Sequence, residues 1–171
     1  MAKTAIKKLI DEIDHLDSDI ALIKAGFTCM MCGKVANQIH HYFPKGGHGN
    51  VRFDPDNHCP ICFGCHHIRI GKAGEAEEIR DRLINKIGEE NFNALKARAH
   101  IRAERKEYYL RRMLKYKQFV LVRVAEECSG VVKCMTGAAE KRLAKAKKSF
   151  QKGELDMFKG IVNLEGGCDD Y

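Results

Sequence analysis

Two cysteine pairs with metal-ligand spacing enclose one stretch of the chain. Cys29 and Cys32 form the first Cys-x-x-Cys pair, and Cys62 and Cys65 form the second. Structural zinc takes four nitrogen or sulfur ligands and leaves no open position, so four thiolates in two such pairs suit a closed tetrahedral site. The spacing therefore predicts one structural Zn²⁺ ion.

The second pair can be read in two registers, because Cys59, Cys62 and Cys65 form overlapping Cys-x-x-Cys pairs. We assign Cys62 and Cys65 as ligands, since this register places His66 directly after the pair, pointing back into the site. Cys59 is then a spare thiol or a small buried residue. The alternative, in which Cys59 replaces Cys65, stays open at this point.

Four further polar residues add chemistry that a structural zinc site does not need: His40, His41, Asn57 and His66. Phosphodiester hydrolysis needs a base to activate a water and a cation near the leaving oxygen. Histidine is a base near neutral pH, and adjacent residues of a strand point to opposite faces. One histidine of the doublet can therefore meet a metal while the other meets a water. Each histidine alone reads as a surface or zinc-adjacent residue, but the ordered set indicates an active site.

In this ordered set the sequence resembles the HNH, or ββα-metal, nucleases, in the subgroup whose fold is pinned by a four-cysteine zinc. The resemblance implies that His41 is the general base and that Asn57 is the central asparagine. It implies that His40 and His66 bind a catalytic Mg²⁺ or Mn²⁺. It also implies an α+β fold with a zinc-pinned ββα-metal core and flanking helices.

A more extensive resemblance is to the lambdoid phage NinG (Rap) recombination proteins, which act on branched DNA such as Holliday junctions and D-loops. It covers about residues 27–96, and no motif of it lies in the basic C-terminal segment. Its motifs are His41-Tyr42, Arg52-Phe53 before Asn57, the pair Cys62 and Cys65, Gly71, and Arg-x-x-Leu-Ile followed by Ile-Gly-Glu-Glu in residues 80–90. The resemblance implies a DNA endonuclease, structure-specific for branched DNA, that acts in phage recombination.

Two residues depart from the NinG pattern and move the site toward the general HNH pattern. His66 replaces an asparagine that usually follows the second cysteine pair, and His40 stands where a small residue is common. Two alternatives therefore remain. One is a homing or restriction-type HNH nuclease that cuts a defined sequence, and the other is a non-catalytic zinc-dependent DNA-binding protein whose histidines are structural.

The distribution of charge predicts a nucleic-acid-binding segment at the C-terminal end. The net charge is +7, and the positive excess lies in residues 101–159. Lysine and arginine side chains neutralise phosphates and release counterions, so we expect DNA as the partner. The same charges also fit a solvated helix face. The predicted DNA-binding residues are Arg111, Arg112, Lys115, Lys117 and Arg123. They alternate with three tyrosines, Tyr108, Tyr109 and Tyr116, which either stack on bases or pack in a core.

The hydrophobic pattern divides the chain into an N-terminal helix (1–26), a zinc-containing HNH domain (27–100) and a basic, mostly helical extension (101–171). The first helix can pack on the metal domain or pair with a partner helix, as in a homodimer. A short strand is predicted at 51–53, and helices are predicted at 2–24, 75–87, 91–100, 101–127 and 138–151.

Composition and hydropathy predict an intracellular protein. No apolar run approaches the ~20 residues of a membrane span, and no signal-peptide core follows the N-terminal lysines. Inside a cell, paired cysteines favour metal over disulfides. We expect a cytoplasmic protein, in a bacterial host cell if the gene is carried by a phage.

Overall fold

The computed structural model describes residues 2–69, 74–103 and 106–154, which fall into two compact units. Among the described residues, one unit combines residues 2–26 with 106–154, and the other contains residues 27–69 and 74–103. The fold is mixed and dominated by helices, with one sheet of two strands among the described residues. The elements are α1 (Ala2–Lys24), β1 (Gln38–His41), β2 (His58–Ile61), α2 (Glu75–Ile87), α3 (Glu89–Ala99), α4 (Glu107–Glu127) and α5 (Gly137–Gln151).

The first unit, which we call the helical unit, joins two segments that the sequence pattern treated as separate. Helix α1 packs along α4, and α4 packs against α5. The apolar stripe of α1 faces this interior, where Ile13 and Ile23 are fully buried. The partner helix of α1 thus comes from the C-terminal segment of the same chain. Residues 155–171 of the predicted extension lie outside the described residues.

Helix α4 contains the β-like run 119–124, Phe-Val-Leu-Val-Arg-Val, without interruption. Every residue of this run except Arg123 is buried. A helix that contacts neighbours on more than one side needs apolar residues around most of its circumference, and the amphipathic period is then lost. The β-branched composition therefore reflects burial on several sides. Helix α4 begins at Glu107, later than the predicted start at 101.

Two acidic residues of α1 lie inside the helical unit and are paired with cations. Asp17 forms an ion pair with Lys117 of α4, and both side chains are buried. Asp19 accepts hydrogen bonds of 2.6 and 2.8 Å from the Arg142 guanidinium of α5. These pairs connect α1 to each of the other two helices and satisfy charges that would be costly to bury alone.

Residues 27–69 contain little regular structure around the small antiparallel sheet, and the two longer helices of this unit follow in residues 75–99. The strand predicted at 51–53 is not formed; Gly49–Val51 and Pro55–Asn57 are single 3-10 turns, and the second strand is His58–Ile61. Pro60 obscures this strand in the sequence because proline cannot donate to a ladder. It is accommodated because the sheet has two strands, so β2 is an edge strand.

Helices α2 and α3 pack on each other in this unit, and Gly88 lies between them. Gly88 has φ +82°, a left-handed value that favours glycine and allows the chain to turn sharply between two helices. Among the described residues, no helix has the length and apolar character needed to cross a bilayer.

Candidate functional site

The four predicted zinc ligands come together at one end of the sheet. The sulfur atoms of Cys29, Cys32, Cys62 and Cys65 all lie within 4.8 Å of one another. Within the described parts of the chain, they are the one group of three or more His, Cys, Asp or Glu side chains that could hold a metal ion. The cluster has the donor set and the proximity of a structural zinc site.

Backbone hydrogen bonds hold the first cysteine pair in a tight turn. Cys29 N–H donates to the Lys34 carbonyl at 2.7 Å, and Gly33 N–H donates to the Cys29 carbonyl at 2.8 Å. Gly33 has φ +71°, which glycine adopts at little steric cost. Met30 N–H donates to the Pro60 carbonyl at 3.0 Å, so the turn is attached to β2, which leads directly to the second cysteine pair.

The position of each thiol identifies the members of the second cysteine pair. The backbone N–H of Cys65 points at Cys62 Sγ, 3.4 Å away, and lowers the pKa of Cys62 to about 7, closer to the thiolate form that binds zinc. Cys59 lies in β2, outside the cluster, and is fully buried. Burial raises the pKa of both Cys59 and Cys65 to about 12, so the positions of the sulfur atoms, and not the thiol pKa, distinguish these two cysteines. The structure therefore selects the register with Cys62 and Cys65.

The two histidines of the doublet lie on different faces of β1. His40 faces His66, with ring centroids 5.5 Å apart. His41 faces His58, its partner on β2, with ring centroids 4.9 Å apart. The structure thus brings the two predicted ligands of the catalytic ion together, whereas the predicted base belongs to a second pair at the end of the strand.

The ring of His41 is held by a backbone carbonyl of the loop between the strands. Its Nε2 lies 3.1 Å from the Arg52 carbonyl oxygen, and the Nε2 of His58 lies 3.4 Å from the same oxygen. A carbonyl oxygen only accepts, so His41 Nε2 carries the hydrogen in this contact. The neutral ring then has its lone pair on Nδ1. His41 is 9 % exposed.

Asn57 fastens the loop that carries this carbonyl. Its fully buried side chain accepts a hydrogen bond from Phe43 N–H at 2.7 Å and donates to the carbonyls of Phe43 and Val51 at 3.0 and 2.9 Å. Because Val51 immediately precedes Arg52, these bonds fix the backbone that holds the ring of His41.

The C-terminal end of α3 supports the same loop from outside. The Arg98 guanidinium pairs with Asp54 at 2.9 Å and with Asp56 at 3.1 Å. Asn50 Nδ2 donates to the Arg98 carbonyl at 3.1 Å, and His48 Nδ1 lies 3.1 Å from the Ala99 carbonyl. The loop is therefore tied to a helix as well as to the sheet.

Burial favours the neutral form of both histidines in the facing pair. Burial, with a smaller effect of the charge on His66, lowers the pKa of His40 to about 4. Burial also lowers the pKa of His66, with a contribution from His67. Neutral imidazoles have a lone pair to offer a metal ion, so these lowered pKa values favour the form that can act as a ligand.

Two polar residues of this region were missed by the sequence analysis. Gln38 Oε1 lies 2.6 Å from His66 Nδ1, and His58 is buried beside His41. The spacing of Gln38, two residues before His40, offers a signal, because alternate residues of a strand share a face. Nothing in the local pattern of His58 distinguishes it from the turn residues that precede it.

The predicted DNA-binding residues separate into two groups in the helical unit. Arg111, Arg112 and Lys115 line one open groove of about 790 Å³. Lys117 is buried in the pair with Asp17, and Arg123 does not line the groove. Arg111 and Arg123 each pair with a glutamate of α4, Glu107 at 2.6 Å and Glu126 at 3.1 Å. A step of two residues turns a helix by about 200°, which explains why Lys115 is exposed and Lys117 is buried. The groove is also lined by Tyr108, Leu114, Gln118, Ser149 and Glu154.

The aromatic residues of α4 lie in different environments. Tyr108 and Tyr109 are 63 % and 53 % exposed. The Arg112 guanidinium lies 6.0 Å from the centre of the Tyr108 ring. Tyr116 is partly buried. Tyr108 and Tyr109 are therefore accessible to a ligand. The interpretation that the tyrosines pack in a core does not hold for these two residues.

Comparison with known proteins places the chain in a family. No curated protein and no solved structure matches it. The family model described as "Bacteriophage Lambda NinG protein" matches residues 3–127. This match is longer than the span of the sequence motifs, since it includes α1 and α4 as well as all the cysteines and histidines of the site. Because it covers well over half of the 171 residues, the chain belongs to the NinG family.

Proposed function

We propose that the chain is a metal-dependent DNA endonuclease of the HNH type, which hydrolyses phosphodiester bonds. Membership of the NinG family suggests a role related to phage recombination. The observation that carries the nuclease proposal is that the two histidines of the doublet have different surroundings. His40 faces a second histidine that can share a cation, whereas His41 is oriented by a loop carbonyl as a base requires.

In the proposed reaction His41 activates the attacking water. Its Nδ1 accepts a proton from the water, because the Arg52 carbonyl holds the hydrogen on Nε2. The imidazolium that results is stabilised by the same carbonyl through a charge-assisted hydrogen bond. Asn57 acts one step further away, since it fixes the backbone at Val51 and Phe43 and does not take part in the proton transfer.

His40 and His66 would hold the catalytic divalent ion. When bound, such an ion stabilises the negative charge that develops on the leaving oxygen. Two imidazole ligands favour a first-row transition metal over Mg²⁺, which prefers oxygen, so we expect Mn²⁺ to bind more tightly than Mg²⁺. The structural zinc is a separate site formed by the four cysteines.

The order of elements supports a ββα-metal core. Strands β1 and β2 pair antiparallel, and a π-helical segment, Cys65–Arg69, follows directly and carries His66. The proposed zinc would join the start of this segment to the turn before β1, because it has two ligands on each side. The helical segment of the motif is short, so the zinc would contribute more than the segment's own hydrogen bonds to holding it in place.

The groove of the helical unit is the proposed contact with the DNA backbone. Arg111, Arg112 and Lys115 supply its positive charge, and Tyr108 supplies an exposed ring on which a base can stack. Lys117 is left out of this proposal because its ammonium group is buried. Arg123 is left out because it does not line the groove.

The catalytic proposal is tested by nicking rates of single variants. His41→Ala should lower cleavage by about 10²–10⁴-fold with zinc content and DNA binding retained, because a general base enters only the chemical step. His40→Ala and His66→Ala should be partly rescued by higher Mn²⁺, whereas His41→Ala should not. Asn57→Ala should be intermediate. Wild-type cleavage by His41→Ala would refute the HNH assignment.

A second candidate is a zinc-dependent DNA-binding protein without catalysis, favoured by the burial of His41 and Asn57. A panel of duplex, single-stranded, flap and four-way-junction DNA, incubated with Mg²⁺, Mn²⁺ or EDTA, separates the possibilities. Binding without cleavage supports this second candidate. Preferential cleavage of junctions supports a structure-specific nuclease, and cleavage at one duplex sequence supports a homing or restriction-type enzyme.

The groove is tested by a charge-neutralising triple variant, Arg111→Gln with Arg112→Gln and Lys115→Gln. We expect weaker DNA binding and a shallower salt dependence, by about 0.9 in the logarithmic slope for each phosphate that the variant no longer neutralises. The matched control neutralises the same charge at exposed lysines of α5: Lys141→Gln with Lys147→Gln and Lys148→Gln. Equal effects of the two triple variants would show that net charge, and not the groove, governs binding.

A further inference from the structure

Gln38 contacts the proposed metal pair without being a metal ligand in the proposal above. Gln38 and His40 are alternate residues of β1 and therefore share a face, and both approach His66. The Gln38 Oε1 atom lies 2.6 Å from His66 Nδ1, and the His40 ring centroid lies 5.5 Å from that of His66. Gln38 thus contacts Nδ1, the ring nitrogen of His66 that is bonded to Cγ.

We propose that Gln38 is a positioning residue that selects the metal-binding nitrogen of His66. An amide oxygen accepts and cannot donate, so the contact requires a hydrogen on His66 Nδ1. The lone pair of the neutral ring is then on Nε2, which becomes the ligand atom. Ligating histidines commonly donate their other N–H to an oxygen acceptor, which fixes both the tautomer and the ring orientation. This inference rests on the proposed metal site but not on cleavage itself.

Both ends of this contact are held rigidly. Gln38 pairs with Ile61 in the sheet, and the adjacent Asn37 N–H donates to the Ile61 carbonyl at 3.2 Å. His66 N–H donates to the Cys62 carbonyl at 2.9 Å, so its backbone is anchored at the cysteine cluster. The Gln38 side chain therefore connects two fixed backbone positions, and the ring of His66 has little freedom to turn.

The test begins with the tautomer of His66 in zinc-loaded full-length protein, measured by ¹⁵N NMR at neutral pH without DNA or added divalent ion. The spectrum of His66→Gln assigns the resonances. We expect the Nδ1–H tautomer in the wild type and in Gln38→Glu, which keeps the acceptor. Gln38→Leu and Gln38→Met, which lack it, should show a mixture of tautomers. An Nε2–H tautomer in the wild type would overturn the proposal.

The second measurement is Mn²⁺ affinity, by electron paramagnetic resonance or calorimetry. Loss of the acceptor in Gln38→Leu or Gln38→Met should weaken Mn²⁺ binding by about 10–100-fold, the usual effect of removing such a partner. Gln38→Glu should bind Mn²⁺ at least as tightly as the wild type. Gln151→Leu, the same exchange at an exposed position of α5, should bind it like the wild type. Zinc content and circular dichroism identify any variant that misfolds, and Gln38→Met then replaces Gln38→Leu.

The outcomes separate this inference from the nuclease proposal. Mn²⁺ binding that depends on Gln38, in a protein that never cuts DNA, would support the positioning role and refute the nuclease. Unchanged Mn²⁺ affinity in Gln38→Leu, with normal cleavage, would refute the positioning role alone. A wild type that binds no Mn²⁺ would overturn the positioning role, because His66 would then not be a ligand of this ion.

Discussion

The helical unit and residues 27–103 differ in what holds their backbones in place. In the helical unit, α1, α4 and α5 satisfy their own backbone hydrogen bonds and bury apolar stripes against one another. Residues 27–103 contain α2 and α3, but the two strands that precede these helices have four residues each, and the loop between the strands is held by the side chains of Asn57 and Arg98. Irregular backbone has no repeating pattern of hydrogen bonds, so side chains or a metal must supply the constraint.

This difference has a consequence for function. A helical bundle spreads its stability over many interchangeable apolar contacts, and it presents surfaces such as the groove at Arg111 and Lys115. The conformation of an irregular loop depends on a few residues, but its carbonyl groups are not committed to a regular pattern of hydrogen bonds. Such a carbonyl can accept a hydrogen bond from a histidine, as that of Arg52 does from His41. We therefore expect single substitutions to have concentrated effects in residues 27–103 and graded effects in the helical unit.

The largest effect should follow from removing one zinc ligand. Cys29→Ser should lose the zinc and unfold much of residues 27–103, because metal-binding free energy, about 10–16 kcal/mol for zinc-finger peptides, is also folding free energy. Helices α1, α4 and α5 should keep their protection. Zinc quantification and hydrogen exchange resolved by segment measure both responses.

The matched control is Cys59→Ser, a thiol of the same strand outside the cluster. It should keep the zinc, with a moderate loss of stability from placing a hydroxyl in a buried position. Loss of zinc in Cys59→Ser together with its retention in Cys65→Ser would contradict the assignment of ligands. Simultaneous loss of protection in both units after Cys29→Ser would show that they unfold cooperatively.

An intermediate effect is expected from a cavity in the helical unit. Leu121 of α4 is fully buried, and Leu121→Ala should lower the free energy of unfolding by about 2–5 kcal/mol. The same exchange at the partly exposed Leu114 should cost clearly less. Zinc content and the protection of residues 27–103 should be unchanged in both variants. Chemical denaturation monitored by circular dichroism measures the difference, and equal losses would argue against the packing described here.

The smallest effects should come from two arginine–carboxylate pairs, one in each unit. The side chain of Arg142 is 29 % exposed and that of its partner Asp19 6 %, whereas those of Arg98 and Asp54 are 40 % and 17 % exposed. Arg142→Ala should destabilise by about 1–3 kcal/mol, between the values for exposed and buried pairs. Arg98→Ala should cost about 1 kcal/mol or less because solvent screens the pair. Thermal unfolding at low and high salt checks both values, and a larger cost for Arg98→Ala would reverse the order.

Local patterns were sufficient to predict the helices but not the second strand. Helix α2 has the predicted bounds, since an apolar face and a following glycine are signals carried by neighbouring residues. Strand β2 was missed because Pro60 interrupts its pattern, and its pairing with β1 depends on residues about twenty positions away. The run 119–124 is ambiguous by composition alone, because burial on several sides favours the same β-branched residues in a helix and in a strand.

By itself, the sequence determined the cysteine pairs except for the choice between Cys59 and Cys65, the candidate residues His40, His41, Asn57 and His66, and the basic character of the C-terminal segment. Residue type and short spacing are enough for these features, because they are properties of side chains and of neighbouring positions. The tertiary structure decided which histidines face each other, that the Arg52 carbonyl orients His41, that Gln38 contacts His66, and that Lys117 is buried while Lys115 is exposed. These are relations between residues distant in the chain, and they are set by packing and backbone direction, which no local pattern encodes.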